Sequence, residues 1–104
     1  MRQIDATVIW SEDDDGPIVK PDPIVVPKGN GATVIRWSRG AGISALSIAG
    51  LDPAVFTPAA SHGLVVSFTT TDANREPGTY DYTVSAVRSA GAPVAHDPKI
   101  QNGG

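Results

Sequence analysis

The sequence predicts an all-β fold, an antiparallel two-sheet sandwich, and three features of the chain lead to that prediction. Apolar and polar residues alternate in several short segments, as they do in strands that bury one face. Eleven glycines and nine prolines are spread between these segments and favour turns. Helical periodicity is almost absent. About seven short strands joined by such turns are typical of a β-sandwich.

The first half of the chain contains four predicted strands. Residues 4–10 alternate, and their apolar members share one face. Residues 24–26 form a short apolar run between three prolines, and because proline donates no backbone hydrogen bond this run is predicted to be an edge strand. Residues 33–37 alternate again. A glycine-containing loop at 38–42 then leads into a strand at 43–48.

The second half of the chain begins with the one candidate for helix. Residues 52–60 are predicted to form at most one short helical turn, because Asp52 and Pro53 can begin a helix but Pro58 follows too closely to allow more. Strands follow at 64–68 and 80–86, the second being the clearest alternation in the chain. A last strand around 99–101 is predicted to lie at a sheet edge. The tail, 101–104, is predicted to fray.

Length and composition limit the function classes that the chain can belong to. Its 104 residues suit a single domain, 1–104. The net charge is −3 and the eight basic residues are scattered, so the chain lacks the electrostatic footprint of a protein that binds nucleic acid or an anionic membrane. The absence of cysteine excludes disulfides, thiolate catalysis and thiolate metal ligands.

The N-terminus bears on the compartment. Residues 1–5 enter the alternating pattern directly, without the apolar run of a signal peptide. No segment approaches the roughly 20 apolar residues of a membrane span. If Met1 is the native start, the expected compartment is the cytoplasm. That expectation fails if Met1 replaced a signal peptide.

Residues 77–82, Pro-Gly-Thr-Tyr-Asp-Tyr, resemble the strand that enters the copper site of cupredoxins of the plastocyanin type. In that family such a strand leads to a Cys, then to a His and a Met, and a further His comes from a loop after an earlier strand. Residues 23–29 resemble the family's early strand and its Lys-Gly turn. The resemblance covers the chain from about Pro21 onward and implies a cupredoxin-like Greek-key sandwich. Immunoglobulin-like and fibronectin-like sandwiches, which share each piece, remain the alternative.

The positions that match the copper ligands carry no metal-binding side chain. Val84 stands at the Cys position, Val87 at the His position, Ala92 near the Met position, and Ala45 or Ser44 at the position of the other His. A blue-copper centre needs one thiolate and two imidazoles. The resemblance therefore implies the scaffold without copper, with no cofactor and no metal site. We expect Val84 to be a core residue.

Tyr80 and Tyr82 are predicted to share one face of their strand. One of them is expected to bond its hydroxyl to nearby backbone, as in the tyrosine corner of Greek-key sandwiches. The other is expected to pack with Trp37 and Phe68 in the core.

Other chemistry is weakly supported by the residues. His62 and His96, together with Asp97, could ligate zinc or copper, which would make the chain a residual metal-binding or redox protein. The favoured interpretation is two unrelated surface histidines. The acidic run at 12–15 lacks the spacing of a calcium loop and is interpreted as a solvated turn. No serine lies in a nucleophile motif and no glycine pattern fits a phosphate loop, so the chain is predicted not to be an enzyme.

The predicted function is therefore a non-catalytic binding or structural domain. Such domains meet a protein partner or a second copy through loops at one end of the sandwich or through an exposed sheet edge. The loops 38–42, 52–63 and 87–93 are predicted to cluster at one end. The candidate partner-binding residues are Arg39, Gly40, His62, Arg88 and His96.

Overall fold

A computed structural model describes residues 2–89 and 91–104 of the chain, and this part is all-β. It contains no helix, and hence none long and apolar enough to span a membrane. The strands in chain order are β1 (Arg2–Ile9), β2 (Ile18–Lys20), β3 (Ile24–Val26), β4 (Thr33–Arg39), β5 (Ala45–Ala49), β6 (Phe56–Thr57), β7 (Ser67–Asp72), β8 (Pro77–Asp81), β9 (Thr83–Val87), β10 (Val94–His96) and β11 (Lys99–Gly103). The predicted all-β class is confirmed.

Five strands form one sheet in the order β2-β1-β4-β7-β6. β1 and β4 pair in parallel, from Arg2 opposite Thr33 to Val8 opposite Arg39, and the other neighbours in this sheet are antiparallel. A parallel pair cannot be joined by a tight hairpin. The chain between β1 and β4 therefore contains β2 and β3, and β3 belongs to another sheet.

The other two sheets, β10-β9-β5 and β3-β11-β8, share one long hairpin. Its register is continuous, because Asp81 lies opposite Lys99 and Val84 lies opposite His96. Between these pairs the ladder is interrupted, and the Tyr82 amide donates to the Pro98 carbonyl at 3.2 Å. β5 pairs with one side of the hairpin and β3 with the other. Three sheets arranged in this way are compatible with a β-sandwich.

Two edge-strand predictions have opposite outcomes. β3 lies at the edge of its sheet, as the flanking prolines predict. β11 lies between β3 and β8, so the prediction of a terminal edge strand at 99–101 is wrong. The tail does not fray either, since β11 continues to Gly103 and the Asn102 side chain is buried. Gly103 packs so closely on the backbone of Lys28 that an added Cβ would lie 2.4 Å from its nitrogen.

Aromatic side chains form the centre of the core. Trp37 is fully buried, stacks on Phe68 at 5.9 Å between ring centroids and lies 5.4 Å from the ring of Tyr82. Its indole Nε1 donates to the Tyr82 hydroxyl at 3.0 Å. Burial raises the pKa of the Tyr82 phenol above its ordinary value, so the hydroxyl stays neutral. Val84 is completely buried beside them, as expected of a core residue.

The tyrosine pair matches the prediction in part, since Tyr82 packs in the core against Trp37, whose ring stacks on Phe68. The buried hydroxyl of Tyr82 accepts from the Trp37 side chain rather than bonding to backbone. Tyr80 packs edge-to-face on Phe56, with ring centroids 5.4 Å apart, and not on Phe68. Tyr80 belongs to β8, whereas Tyr82 lies at the interruption between β8 and β9.

Two segments in the second half of the chain agree differently with the sequence predictions. Residues 52–56 form a single hydrogen-bonded turn, with the Asp52 carbonyl accepting from the Phe56 amide at 2.9 Å, in agreement with the prediction of at most one helical turn in 52–60. β7 begins at Ser67 rather than at 64, and Leu64 and Val66 are 49% and 56% exposed. Much of the buried face of β7 itself is polar, where the alternation rule predicts apolar side chains.

Candidate binding surface at the loop end

Three segments meet at one end of the molecule, which we call the loop end: residues 10–12, 40–44 and 87–89. The Trp10 amide donates to the Ala41 carbonyl at 2.9 Å. The Ser44 amide donates to the Val87 carbonyl at 2.8 Å. The loops after β1, β4 and β9 are thus joined by backbone hydrogen bonds. Of the loops predicted to cluster, 38–42 and 87–93, the first contributes Gly42 and the second Arg88 and Ser89 to one depression.

The loop end contains a surface depression of about 410 Å³. It is lined by Trp10, Glu12, Gly42, Ile43, Ser44, Arg88 and Ser89. The lining combines an indole, a guanidinium, a carboxylate and two hydroxyls. Such a mixture suits recognition of a partner side chain more than enclosure of an apolar ligand.

Arg88 is held in place at the edge of this depression. Its guanidinium carbon lies 4.2 Å from the ring centroid of Trp10, within the range of a cation–π contact. Its Nη2 also donates to the Ser11 carbonyl at 2.8 Å. The Trp10 indole Nε1 donates to the Asp14 carbonyl at 3.1 Å. Arg88 and Trp10 together therefore connect the end of β9 with the acidic turn.

Ser44 links a second arginine to the same surface. The Ser44 hydroxyl donates to the Arg88 carbonyl at 3.1 Å, and the Ser44 carbonyl accepts from Arg39 Nη1 at 3.0 Å. Two of the five predicted partner-binding residues, Arg39 and Arg88, are thus joined through one residue. Gly40, a third, donates its amide to the Val8 carbonyl at 2.8 Å.

Gly42 allows the loops to approach one another this closely. Its φ is +87°, a conformation that favours glycine. A Cβ at this position would lie 1.9 Å from the carbonyl oxygen of Trp10. Any side chain at position 42 would therefore push the loop away from Trp10.

Sequence reasoning missed Trp10 and Glu12 as members of this surface. Trp10 follows the alternation of residues 4–10, which predicts a core position, and it is only 9% exposed. Glu12 belongs to the acidic turn, where Asp14 accepts from the Ser11 amide at 3.2 Å through Oδ2. The sequence feature that indicates this surface is an aromatic residue, Trp10, between the end of a strand and a charged turn.

The loop 52–63 does not join this end as a whole. It starts beside the opposite end of β7, because Phe56 lies opposite Asp72. It then runs past β5, where the Ser61 amide donates to the Ile48 carbonyl at 2.9 Å. The predicted clustering of all three loops is therefore wrong for this one.

The two histidines lie on different segments. His62 is exposed in the loop before β7, and His96 ends β10 with its Nε2 3.5 Å from an Asp22 oxygen. β9 and β5 separate β10 from the loop that carries His62. The structure thus does not place the two imidazoles side by side. In 2–89 and 91–104, no group of three or more His, Asp or Glu side chains is arranged to hold a metal ion.

The four positions that match copper ligands have different environments. Ala45 lies opposite Val87 on the neighbouring strand. Val84 is three residues before Val87, and alternate residues of a strand face opposite sides, so Val84 lies in the core while Val87 faces away from it. Ala92 is exposed in the turn before β10.

No family model matches the chain, and no curated protein matches it.

Proposed function

We propose that this chain is a non-catalytic binding or structural domain, a cupredoxin-like Greek-key sandwich without copper, that contacts a protein partner with its loop end. The single observation that carries the proposal is the arrangement of Arg88 on Trp10 at the edge of an open depression. Tryptophan and arginine are the residues that most often dominate the energy of protein–protein contacts. Held in advance by Ser11 and Asp14, they lose little conformational freedom on binding.

The electrostatics favour a protein partner over a nucleic acid. Arg88 lines the depression together with Glu12 and donates to the Ser11 carbonyl beside the acidic turn, so the loop end presents both signs of charge rather than a basic patch. Nucleic acid and anionic membranes select continuous basic surfaces. A partner with its own mixed charges fits this surface better.

The proposal that the domain holds no copper depends on the side chains that could act as metal ligands. The chain has no cysteine, so no thiolate can be supplied. Hydrocarbon side chains stand at Ala45, Val84, Val87 and Ala92, the positions that the resemblance assigns to ligands. Metal analysis of untagged protein is expected to find no copper or zinc at one ion per chain. A stoichiometric ion would contradict this part of the proposal.

The binding part is tested by capture followed by affinity measurement. Proteins retained from the source cells by the immobilised full chain are identified, and the affinity of each is then measured with purified components. Arg88→Ala is expected to weaken binding at least about tenfold, because a fixed arginine anchor is lost. Ser89→Arg, which adds bulk within the depression, is expected to do the same.

The matched control is Arg36→Ala, an exposed arginine on β4 away from the depression. It should leave the affinity unchanged. Equal affinities for wild type, Arg88→Ala and Ser89→Arg would refute the loop end as the binding surface. Light scattering of the same variants tests self-association: a dimer that Ser89→Arg dissociates would identify a second copy as the partner.

A further inference from the structure

The opposite end of the molecule contains a buried polar cluster, which we call the amide end: Asp72, Asn74 and Asn102. Asp72 is fully buried at the end of β7, and Asn102 on β11 is 5% exposed. The Asn102 Nδ2 donates to Asp72 Oδ1 at 2.8 Å, and the Asn74 amide donates to the same oxygen at 2.9 Å. β7 and β11 belong to different sheets, so this contact joins two sheets.

Two oxygen atoms in this cluster have no partner within 2–89 and 91–104. They are Asp72 Oδ2 and Asn102 Oδ1, both shielded from solvent. A buried acceptor without a donor costs about 1 to 3 kcal/mol, and more when it is charged. Two oxygen atoms that only accept hydrogen bonds cannot bond to each other. Asp72 Oδ2 and Asn102 Oδ1 can therefore pair only if the carboxyl group carries a proton.

Within 2–89 and 91–104, no charged side chain contacts Asp72. Its strand neighbours are Thr33 on β4 and Phe56 on β6. The titratable side chains on β4 and β11 and on the turns after β3 and β7 are all exposed: Lys28, Arg36, Arg39, Arg75, Glu76 and Lys99. Gly104, at the carboxyl end, donates its amide to Asn74 Oδ1 and accepts from the Gly29 amide through its oxygen. Burial raises the pKa of the Asp72 carboxyl, against the hydrogen bonds from Asn102 and Asn74 that lower it.

We propose that Asp72 keeps a proton in the folded chain and that its carboxylic acid forms a cyclic, doubly hydrogen-bonded pair with the Asn102 amide. One bond is the observed Nδ2–H donation to Asp72 Oδ1. The other runs from a proton on Asp72 Oδ2 to Asn102 Oδ1, and it satisfies both unpartnered oxygens at once. The pair acts as a pH-sensitive clasp between β7 and β11.

The pH dependence has a definite sign. The folded pKa of Asp72 lies above its unfolded value, so between the two values the folded chain binds one more proton than the unfolded chain. The contribution of the clasp to stability is complete below the unfolded pKa and is lost as the pH rises through the folded pKa. Within that window the unfolding equilibrium constant rises by up to about tenfold for each pH unit.

The first test follows the Asp72 carboxyl carbon of the full chain by NMR from pH 3 to pH 8. The proposal expects this carbon to titrate at a higher pH than an ordinary aspartate. An Asp72 carbon that titrates at or below the ordinary value would overturn it. This measurement needs no variant and therefore decides the matter even if a substitution prevents folding.

The second test compares denaturation across the same pH range for Asp72→Asn and for a matched control. Asn at position 72 places an N–H group where the proposed proton lies, so this variant should lose the pH dependence in the window. At neutral pH it should unfold no more readily than wild type. The control, Asp5→Asn, alters an exposed carboxylate that accepts from Gln3 and should keep the wild-type slope. Equal slopes of stability against pH for wild type and Asp72→Asn would overturn the proposal.

The clasp lies away from the loop end, so the proposed clasp and the proposed binding surface do not depend on each other.

Discussion

The two ends of the molecule hold their polar groups in opposite ways. At the loop end, Arg88 lies on Trp10 near the surface, and side chains there donate to backbone carbonyls that water can also reach. At the amide end, Asp72 and Asn102 are buried, and each polar atom depends on a protein partner. A surface contact can exchange with water at little cost, whereas a buried one cannot. We therefore expect the stability of the fold to tolerate loss of a hydrogen-bonding group at the loop end and not at the amide end.

The largest effect is expected at the amide end, for Asn102→Leu. Leucine has the same branching of side-chain heavy atoms but donates no hydrogen bond, so Asp72 loses its side-chain donor. We expect the free energy of unfolding to fall by about 3 kcal/mol. The measurement is denaturant unfolding with matched m-values. Gln101→Leu, an exposed neighbour on the same strand, should change stability by less than about 0.5 kcal/mol. Equal losses of stability for the two variants would show that the buried Asn102 amide contributes no more than an exposed side chain on the same strand.

A glycine provides the one expected exception to tolerance at the loop end. Gly42 and Gly29 share a φ of +87°, but an added Cβ meets the Trp10 carbonyl oxygen at position 42 and open space at position 29. Gly29→Ala should cost about 1 kcal/mol, the usual penalty for this backbone conformation. Gly42→Ala should cost about 2 kcal/mol, because the loop must also move. Thermal unfolding of both variants isolates the cost of the close approach; equal losses would show that the loop adapts freely.

The smallest effect is expected for Arg88→Lys at the loop end. Lysine keeps the charge but loses the planar stacking on Trp10 and the geometry of the bond to Ser11. The expected loss of stability is below about 1 kcal/mol, as for an exposed cation–π contact. The loss of stability is measured by chemical denaturation, with Arg36→Lys as the control. A loss as large as that of Asn102→Leu would mean that the loop end is as intolerant as the amide end.

Parts of the candidate surface follow from the sequence, and parts do not. The turn glycines and the strand ends locate the loops at 38–42 and 87–93, and residues of both line one depression. The membership of Trp10 does not follow, because alternation assigns it to the core and carries no information on what lies beside it. The buried pair of Asp72 and Asn102 has no local signal at all, since isolated polar residues near turns normally lie in water.

The sequence by itself determined the all-β class, the edge position of β3 and the impossibility of thiolate chemistry. Each of these depends on a local property: the period of apolar residues, the missing donor of proline, and the absence of one residue type. The tertiary structure alone decided which strands pair, that β11 is central and that Arg88 reaches Trp10. The physical reason is that a period of two specifies which face of a strand is buried but not its neighbour. Contacts between Asp72 and Asn102, 30 residues apart, arise only when the sheets close.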